Sequence, residues 1–587
     1  MTAAPSSSRN TRLCLVVAAA IGLLAAQPLL FGKLAAGSDT YFHIHRLWQV
    51  HTLINQGIWF SRWSPDLPFG FGSPLFNYYG PLPYYFAEAV VRLTNSLVVG
   101  YIIALVISLM ATAMGMAMWL RQLMSDWGAL LGAAAFVFAP VALGNIYSRG
   151  ALAEPVALAA VPCVLYALHR LATEKQTGFG YLLMGALAYA VIALSHNVTL
   201  LLFTPIAIVY AVGLRLAGYK NLQGGLVLVW GLALSAFFVA PALLEPDLVQ
   251  LERLYTSAAY DYHHNFQPLI KLLGSLPPLD TNLIGNTYEV PIGMAPLALA
   301  GLGLFALTNA RNRTQIRLLT SLIALVGALV CIFMSTPQSR VVWEAIPFLR
   351  VLQFGRRWLV PAALCLVVLI GYGGDFVCGL LPKPWQKLAV TACGLVALIA
   401  SIWSAQIIVN LFPITYTPTA QAIAELEQRY NVIGTTNTGE YLPRAVQQMP
   451  ALVASPLLRD NRRLDPTSLP PAAHVQSETY SSLAYALTLD TPQPAELVFA
   501  TFYFAGWQAR VDGIATEIKP SEPHGFIRVS VPAGRHQVQV KFEDTPVRSA
   551  ATWVSLVAAG LWLLGAGWLV YSHFSARYNL KKLGRES

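Results

Sequence analysis

The chain has 587 residues, of which 56% are hydrophobic and only 11% charged, and its mean hydropathy is +0.55. Soluble globular proteins carry about 25% charged residues, so most of this chain has a solvent that does not hydrate charge. The formal net charge of +10 is not gathered on one soluble domain as nucleic-acid binding requires; Lys and Arg fall between apolar runs, as a membrane topology signal does.

Met1 to Arg12 is polar and basic and precedes an apolar run over 13–34. A signal peptide has a core of about 7–15 apolar residues; this run is longer, and it reads as an uncleaved first membrane span. Because a helix needs about 20 apolar residues to cross a bilayer, spans are expected near 13–34, 97–120, 128–147, 151–170, 180–196, 198–214, 225–243, 293–309, 318–335, 359–380, 388–411 and 551–572. Leu82–Val91 is too short to cross and is expected at the interface. Cys14, Cys163, Cys331, Cys365, Cys378 and Cys393 all lie in or beside apolar runs, so no disulfide framework is expected in the polar segments.

Orientation follows from Arg and Lys in the short loops. With the N-terminus inside, the inner loops carry Arg9, Arg12, Arg121, Arg170, Lys175, Arg215, Lys220, Arg311, Arg313, Arg317, Lys383, Lys387 and a basic tail from Arg577. Both termini are then cytoplasmic, and segments 35–96, 244–292, 336–358 and 412–550 face outward. The last alternates in the period-2 manner of strands over Tyr485–Leu489, Glu496–Phe504, Trp507–Asp512, Phe526–Val531 and His536–Phe542. The expected organisation is a multi-span domain over 1–411, an outer domain over 412–550 that is β-rich in its second half, and a final helix with a cytoplasmic tail over 551–587.

Chemistry-bearing residues cluster where spans leave the membrane outward. Asp39 opens the first outer loop, and His43 lies four residues on, on the same face of a helix. Asp39 can accept a proton from an acceptor hydroxyl, or Ser38 or Asp39 can cap the helix from Thr40. His43, His45 and His51 with Asp39 offer imidazole and carboxylate ligands suited to zinc or manganese, or else are interfacial histidines. Arg149 and Glu154 flank one tight turn, His196 tips the next, and Glu245 follows the seventh span. Ionisable groups at such depth mark a site unless they are structural pairs. Arg356 and Arg357 stand before a span at the outer interface, where they can bind an anionic phosphate or snorkel to lipid headgroups. Trp59, Trp63, Phe76, Tyr78, Tyr79, Tyr84 and Tyr85 can stack on sugars or form an interfacial belt.

The ordered set GSDTYFHIHRL from Gly37, YSRGALAEP from Tyr147, SHNVTLLLF from Ser195, PALLEP from Pro241, LQFGRRW from Leu352, TGEYLP from Thr438, YFAGWQARVDG from Tyr503 and FEDTPVR from Phe542 resembles one family. It is that of the bacterial 6-pyruvoyl-tetrahydropterin-synthase-related membrane proteins, similar to the YfhO-like group. Nothing in the sequence predicts a soluble pterin synthase. The plan is similar to GT-C lipid-linked glycosyltransferases, with many spans, a long first outer loop opening on an acid, and a C-terminal outer domain. That resemblance implies Asp39 as catalytic base; many members show two nearby acids there, whereas here Thr40 follows and the next acid is Asp66.

The expected fold is therefore an α-helical polytopic membrane protein of about 12 spans with a C-terminal β-sandwich-like domain, in the cytoplasmic membrane of a bacterium. The expected function is sugar transfer from a polyprenyl-phosphate donor to a glycan, lipid or protein acceptor. Asp39 would be the base, Arg356, Arg357 and Arg149 the phosphate ligands, and His43, Glu154, His196 and Glu245 the cavity lining. A magnesium or manganese ion is the one cofactor this reading admits. The alternatives are a non-enzymatic scaffold of envelope polysaccharide assembly, with the outer domain as the binding part, and a transporter.

Overall fold

A computed structural model describes residues 8–174, 178–219, 223–255, 258–274, 291–308, 314–382, 385 and 411–586. Among them, seven helices are long and apolar enough to cross a membrane: Leu97–Leu120, Ala153–Thr173, Gly178–Ser195, Asn197–Leu216, Gln315–Ser335, Gly355–Leu380 and the apolar part of the last helix, Pro546–Ser575. The chain is a multi-pass helical membrane protein. Two expected spans are bent pairs: Asp126–Val137 with Pro140–Tyr147 turns by 42°, and Gly224–Leu234 with Ala236–Leu244 by 79°. Pro140 lacks the N–H that would continue the first helix. At the second break, Ser235 Oγ bonds back to the Gly231 and Leu232 carbonyls, and Ser555 Oγ accepts the freed Phe237 N–H.

The run 13–34 is not one straight helix. It forms Ser8–Ala25 and, after a break at Ala26, the short helix Gln27–Leu30 with Pro28 in its first turn. The run 293–309 forms only Met294–Ala306. The expected span 388–411 lies outside the described residues except for Leu411.

The sequence after Pro470 forms eight antiparallel strands: β1 (His474–Tyr480), β2 (Ala484–Thr491), β3 (Ala495–Phe502), β4 (Trp507–Val511), β5 (Ile514–Thr516), β6 (Ile518–Ser521), β7 (Phe526–Val531) and β8 (Gly534–Phe542). They make a five-stranded sheet in the order β1-β2-β8-β4-β5 and a three-stranded sheet in the order β3-β7-β6. Trp507, Ala509 and Val511 of β4 are buried while Gln508 and Arg510 are exposed, which is the alternation that made this strand legible. β1 is a polar edge strand, and β5 and β6 are short, so none of the three gives that signal.

The segments expected to face outward pack on one another. Trp63 and Phe71 of the first segment complete the core between the sheets: Trp63 meets Phe504 and Trp507 at 6.2 and 5.7 Å, and Phe71 meets Phe502 at 5.3 Å. Gly72 permits this, because a Cβ there would fall 2.2 Å from the Trp63 ring. Val249 pairs with Pro443, and Gly355 N–H donates to the Asn265 carbonyl. The aromatics of the first segment accordingly part company: Trp63, Phe76, Tyr78 and Tyr84 are buried in protein, and Trp59 is 74% exposed.

One carboxylate ties these segments together. Glu427, on helix Ala420–Tyr430, is buried and accepts the Phe69 N–H at 2.8 Å, with the Gly434 and Thr435 amides also directed at it. Burial, outweighing those donors, pushes Glu427 from 4.5 up to about 8. The folded protein therefore holds this proton more tightly than the unfolded chain. The stability it contributes is full below a pH of about 4.5 and is lost as the pH rises toward 8. The thermal midpoint of the wild type should fall between pH 5 and pH 8, roughly the window of that shift, and Glu427→Gln should flatten the slope. An unchanged slope in the variant, measured by scanning fluorimetry, would rule out Glu427 as its source.

Candidate active site

Two turns meet at the start of helix Thr40–Asn55. Asp39 N–H donates to the Arg149 carbonyl at 2.8 Å. Glycine is required on both sides of this contact. A Cβ on Gly37 would lie 2.4 Å from the Ser148 carbonyl oxygen, and one on Gly150, whose φ is +66°, would lie 1.8 Å from Thr40 Oγ1. The backbone approach brings the side chains together. Arg149 donates from Nη2 and Nε to Asp39 Oδ2 at 2.8 and 3.2 Å, and from Nη1 to Glu154 Oε2 at 3.0 Å and Asn145 Oδ1 at 3.2 Å. Ser38 Oγ donates to the other Asp39 oxygen at 3.0 Å.

Asp39 is the N-cap residue of its helix by position, but its carboxylate makes no capping hydrogen bond. The side chain is turned toward Arg149 instead. Burial pushes the Asp39 carboxyl up, and Arg149 with Ser38 pulls it down further, so it stands below the ordinary carboxylate value.

The neighbouring histidines diverge. His43 Nδ1 hydrogen-bonds Tyr84 Oη at 2.8 Å, His45 Nε2 bonds Tyr416 Oη at 2.8 Å, and His51 Nδ1 pairs with Glu88 at 3.0 Å. Burial, with Arg46 beside them, lowers His43 well below the ordinary histidine value and His45 to about 3. Both are neutral at physiological pH. Among the described residues no group of three or more His, Cys, Asp or Glu side chains converges where it could hold a metal ion.

His196 caps helix Asn197–Leu216: its Nδ1 accepts the Thr199 N–H at 3.3 Å and bonds Thr199 Oγ1 at 2.8 Å. Burial takes it down to about 4, against the opposing pull of Glu154 and with Arg357 and Arg149 adding to the fall. His196 is thus in electrostatic contact with the Asp39–Arg149–Glu154 cluster without touching it.

Glu154, Arg357 and Thr199 line one end of a narrow, open cleft of about 30 Å³. Its remaining walls are apolar: Phe136, Leu158, Val161, Val198, Leu202, Phe203, Ile206, Val360, Pro361 and Leu364, from four helices. The Arg356 and Arg357 guanidiniums lie 3.9 and 5.2 Å from the Phe354 ring. The Arg357 side chain makes no hydrogen bond or ion pair with any described residue.

Glu245 is elsewhere. Its Oε2 accepts from Arg548 Nε at 2.8 Å and Asn77 Nδ2 at 3.1 Å, and its Oε1 accepts from Thr545 Oγ1 at 2.7 Å. This pair joins the start of the last helix to the first long segment and does not line the cleft with Glu154.

Four residues not singled out from the sequence belong to the region. Arg46, 5% exposed, donates to the Thr435 carbonyl at 2.6 Å and lies 4.0 Å from the Tyr79 ring, with no carboxylate partner among the described residues. Tyr260, Glu440 and Tyr441 reach the site from distant segments. For Glu440 and Tyr441 a signal was present in the motif TGEYLP; Arg46 stood beside the histidines that drew attention away from it.

Residues 76–409 match the 6-pyruvoyl-tetrahydropterin synthase related domain, a membrane protein family. The chain belongs to this family. A relative in Lactococcus lactis subsp. cremoris, itself described as uncharacterized, is 26% identical over 235 residues, which is 38% of each chain. The family member is also similar to the arabinofuranosyltransferase AftD from Mycobacteria. A variant form of that enzyme gives a TM-score of 0.42 at 17% identity over 72% of this chain, and a second structure of it gives 0.40 at 18% over 68%. This chain spans 30% and 27% of those two chains.

The two ion-pair systems differ in depth, and stability should report it. Arg548 and Glu245 are 0% and 7% exposed, whereas Arg149, Asp39 and Glu154 are 18%, 23% and 10% exposed. Removing one partner of a fully buried pair costs about 3–5 kcal/mol. Arg548→Met is therefore expected to lower the thermal midpoint more than Arg149→Met. The reverse order would contradict a purely structural role for Glu245.

Proposed function

We propose that this protein is a GT-C-type glycosyltransferase that takes a sugar from a polyprenyl-phosphate donor. The acceptor would be a hydroxyl of a glycan, lipid or protein on the outer face of the cytoplasmic membrane. The observation that carries the reading is the cleft: apolar walls from four helices, ending at the Arg357 guanidinium, which pairs with no described residue. An isoprenoid chain suits such walls, and a phosphate at their end would meet Arg357 with Arg149 and Arg356 in reach. The packed segments are assigned to the outside because the basic loops fall at the other ends of the spans.

In this reading the acceptor oxygen bonds to the anomeric carbon while its proton passes to Asp39. The bond from that carbon to the phosphate oxygen breaks with inversion, and its electron pair leaves on the phosphate. Arg357, Arg356 and Arg149 offset that charge, an electrostatic role worth about 10²–10³ in rate for a single donor. Paired with Arg149, Asp39 is a weak base. A donor phosphate that draws Arg149 toward itself removes the counter-charge from Asp39 and raises its proton affinity. Donor binding would then arm the base.

Purified protein in nanodiscs, incubated with a panel of polyprenyl-phosphate sugars, tests this through donor consumption. Wild type is expected to consume at least one donor. Asp39→Asn should lose about 10²–10⁴ of that rate, and Arg357→Ala about 10²–10³. Undiminished turnover by Asp39→Asn would remove it as the base. No consumption of any donor by wild type would favour the scaffold reading.

A further inference from the structure

The segment 433–443 takes no part in the reaction as described, yet it is built as a rigid wall. Ile433 and Thr436 bridge each other, Thr436 Oγ1 accepts the Gly439 N–H at 2.9 Å, and the Leu442 carbonyl accepts the Gln250 N–H at 3.1 Å. Gly439 turns the chain with φ of +72°. At the tip stand Glu440 and Tyr441, the latter stacked on Tyr78 at 5.9 Å and 5°.

Glu440 is 9% exposed, and one hydroxyl, Thr438 Oγ1, donates to its Oε2 at 2.6 Å. No Arg, Lys or His among the described residues lies within ion-pair distance of it. A carboxylate has about four acceptor positions, and one so enclosed is costly unless they are filled. Its surroundings are those of the candidate site. The Tyr260 hydroxyl lies in the fields of Asp39, Glu440 and Arg356 together. Tyr441 lies in those of Glu440, Arg46 and Arg357. The Tyr260 ring meets Phe354, the ring against which Arg356 and Arg357 lie, at 5.9 Å. The arginines, a phenol and an underpartnered carboxylate thus share this region. A carboxylate repels phosphate and accepts hydrogen bonds from hydroxyls.

We infer that Glu440 and Tyr260 hold a sugar ring at this site, with Glu440 accepting hydrogen bonds from ring hydroxyls. The inference rests on the transferase reading and assigns the sugar to residues outside the membrane spans. The ring belongs either to the donor, beside its phosphate, or to a glycan acceptor; the chemistry of recognition is the same.

Native mass spectrometry of the full chain in nanodiscs separates these sources and keeps the inference distinct from the reading beneath it. Three probes are titrated into wild type, Glu440→Ala, Tyr260→Phe and Arg357→Ala: bare polyprenyl phosphate, polyprenyl-phosphate sugars, and free oligosaccharides. Bare polyprenyl phosphate is expected to bind wild type, Glu440→Ala and Tyr260→Phe alike, which also shows that these variants are folded, and to bind Arg357→Ala weakly. Loss in Glu440→Ala of about tenfold or more of the added affinity for a glycosylated donor assigns the ring to the donor. An equal loss confined to free oligosaccharide assigns it to the acceptor. The inference is overturned if Glu440→Ala and Tyr260→Phe keep wild-type affinity for all sugar-bearing probes, or if no sugar adds affinity to wild type. Failure of bare polyprenyl phosphate to bind wild type would instead overturn the donor reading itself.

Discussion

A single guanidinium holds the candidate site in shape. Arg149 sits on a turn between two helices and spends its donors on Asp39, Glu154 and Asn145. Two carboxylates brought this close would repel each other in a poorly hydrated setting. The planar fork of arginine serves both at once, which the point charge of lysine does not do as well. The same contact fixes the first helix after the opening span, since Asp39 is bonded to Arg149 through backbone and side chain alike. From that anchor, helix Thr40–Asn55 carries His43 and Arg46 inward, and Arg46 in turn grips Thr435.

The β-sheets brace the site through these same contacts. Their core is completed by Trp63 and Phe71, which belong to the first long segment. Their base is tied to the last helix by Arg548, whose Nη1 donates to the Ala505 carbonyl between β3 and β4 at 2.7 Å. Because a buried ring of this size is worth about 3–5 kcal/mol against alanine, the sheets and the first segment stabilise each other. That coupling fixes where the 433–443 wall stands relative to Asp39, a relation that neither segment could set alone.

Much of this was legible in the sequence, for a physical reason. A span must satisfy its backbone internally, so long apolar runs are helices, and Leu97–Leu120 coincides with its expected bounds. Alternation likewise revealed β2, β3, β4, β7 and β8. The failures have local causes. The kinks at Ala26, Phe138–Ala139 and Ser235 arise from single prolines and hydroxyls that barely change the hydropathy of a run. Asp39, Arg149 and Glu154 were grouped because each lies where a span ends. Glu245 met the same criterion and was misleading, because depth in the chain says nothing about which partner arrives from 303 residues away.

Completeness of partnering distinguishes these acids. Glu245 has donors on both oxygens, supplied by an arginine, an asparagine and a threonine. A charge so well answered inside the protein belongs to the architecture. Arg357 ends an apolar cleft with its donors unclaimed by described residues, and Glu440 is nearly as buried as Glu245 with one hydroxyl to satisfy it. Burying such groups costs free energy that the fold does not recover by itself. Opposite charges left open in one space are better suited to a ligand that is itself divided, anionic at one end and hydroxylated at the other.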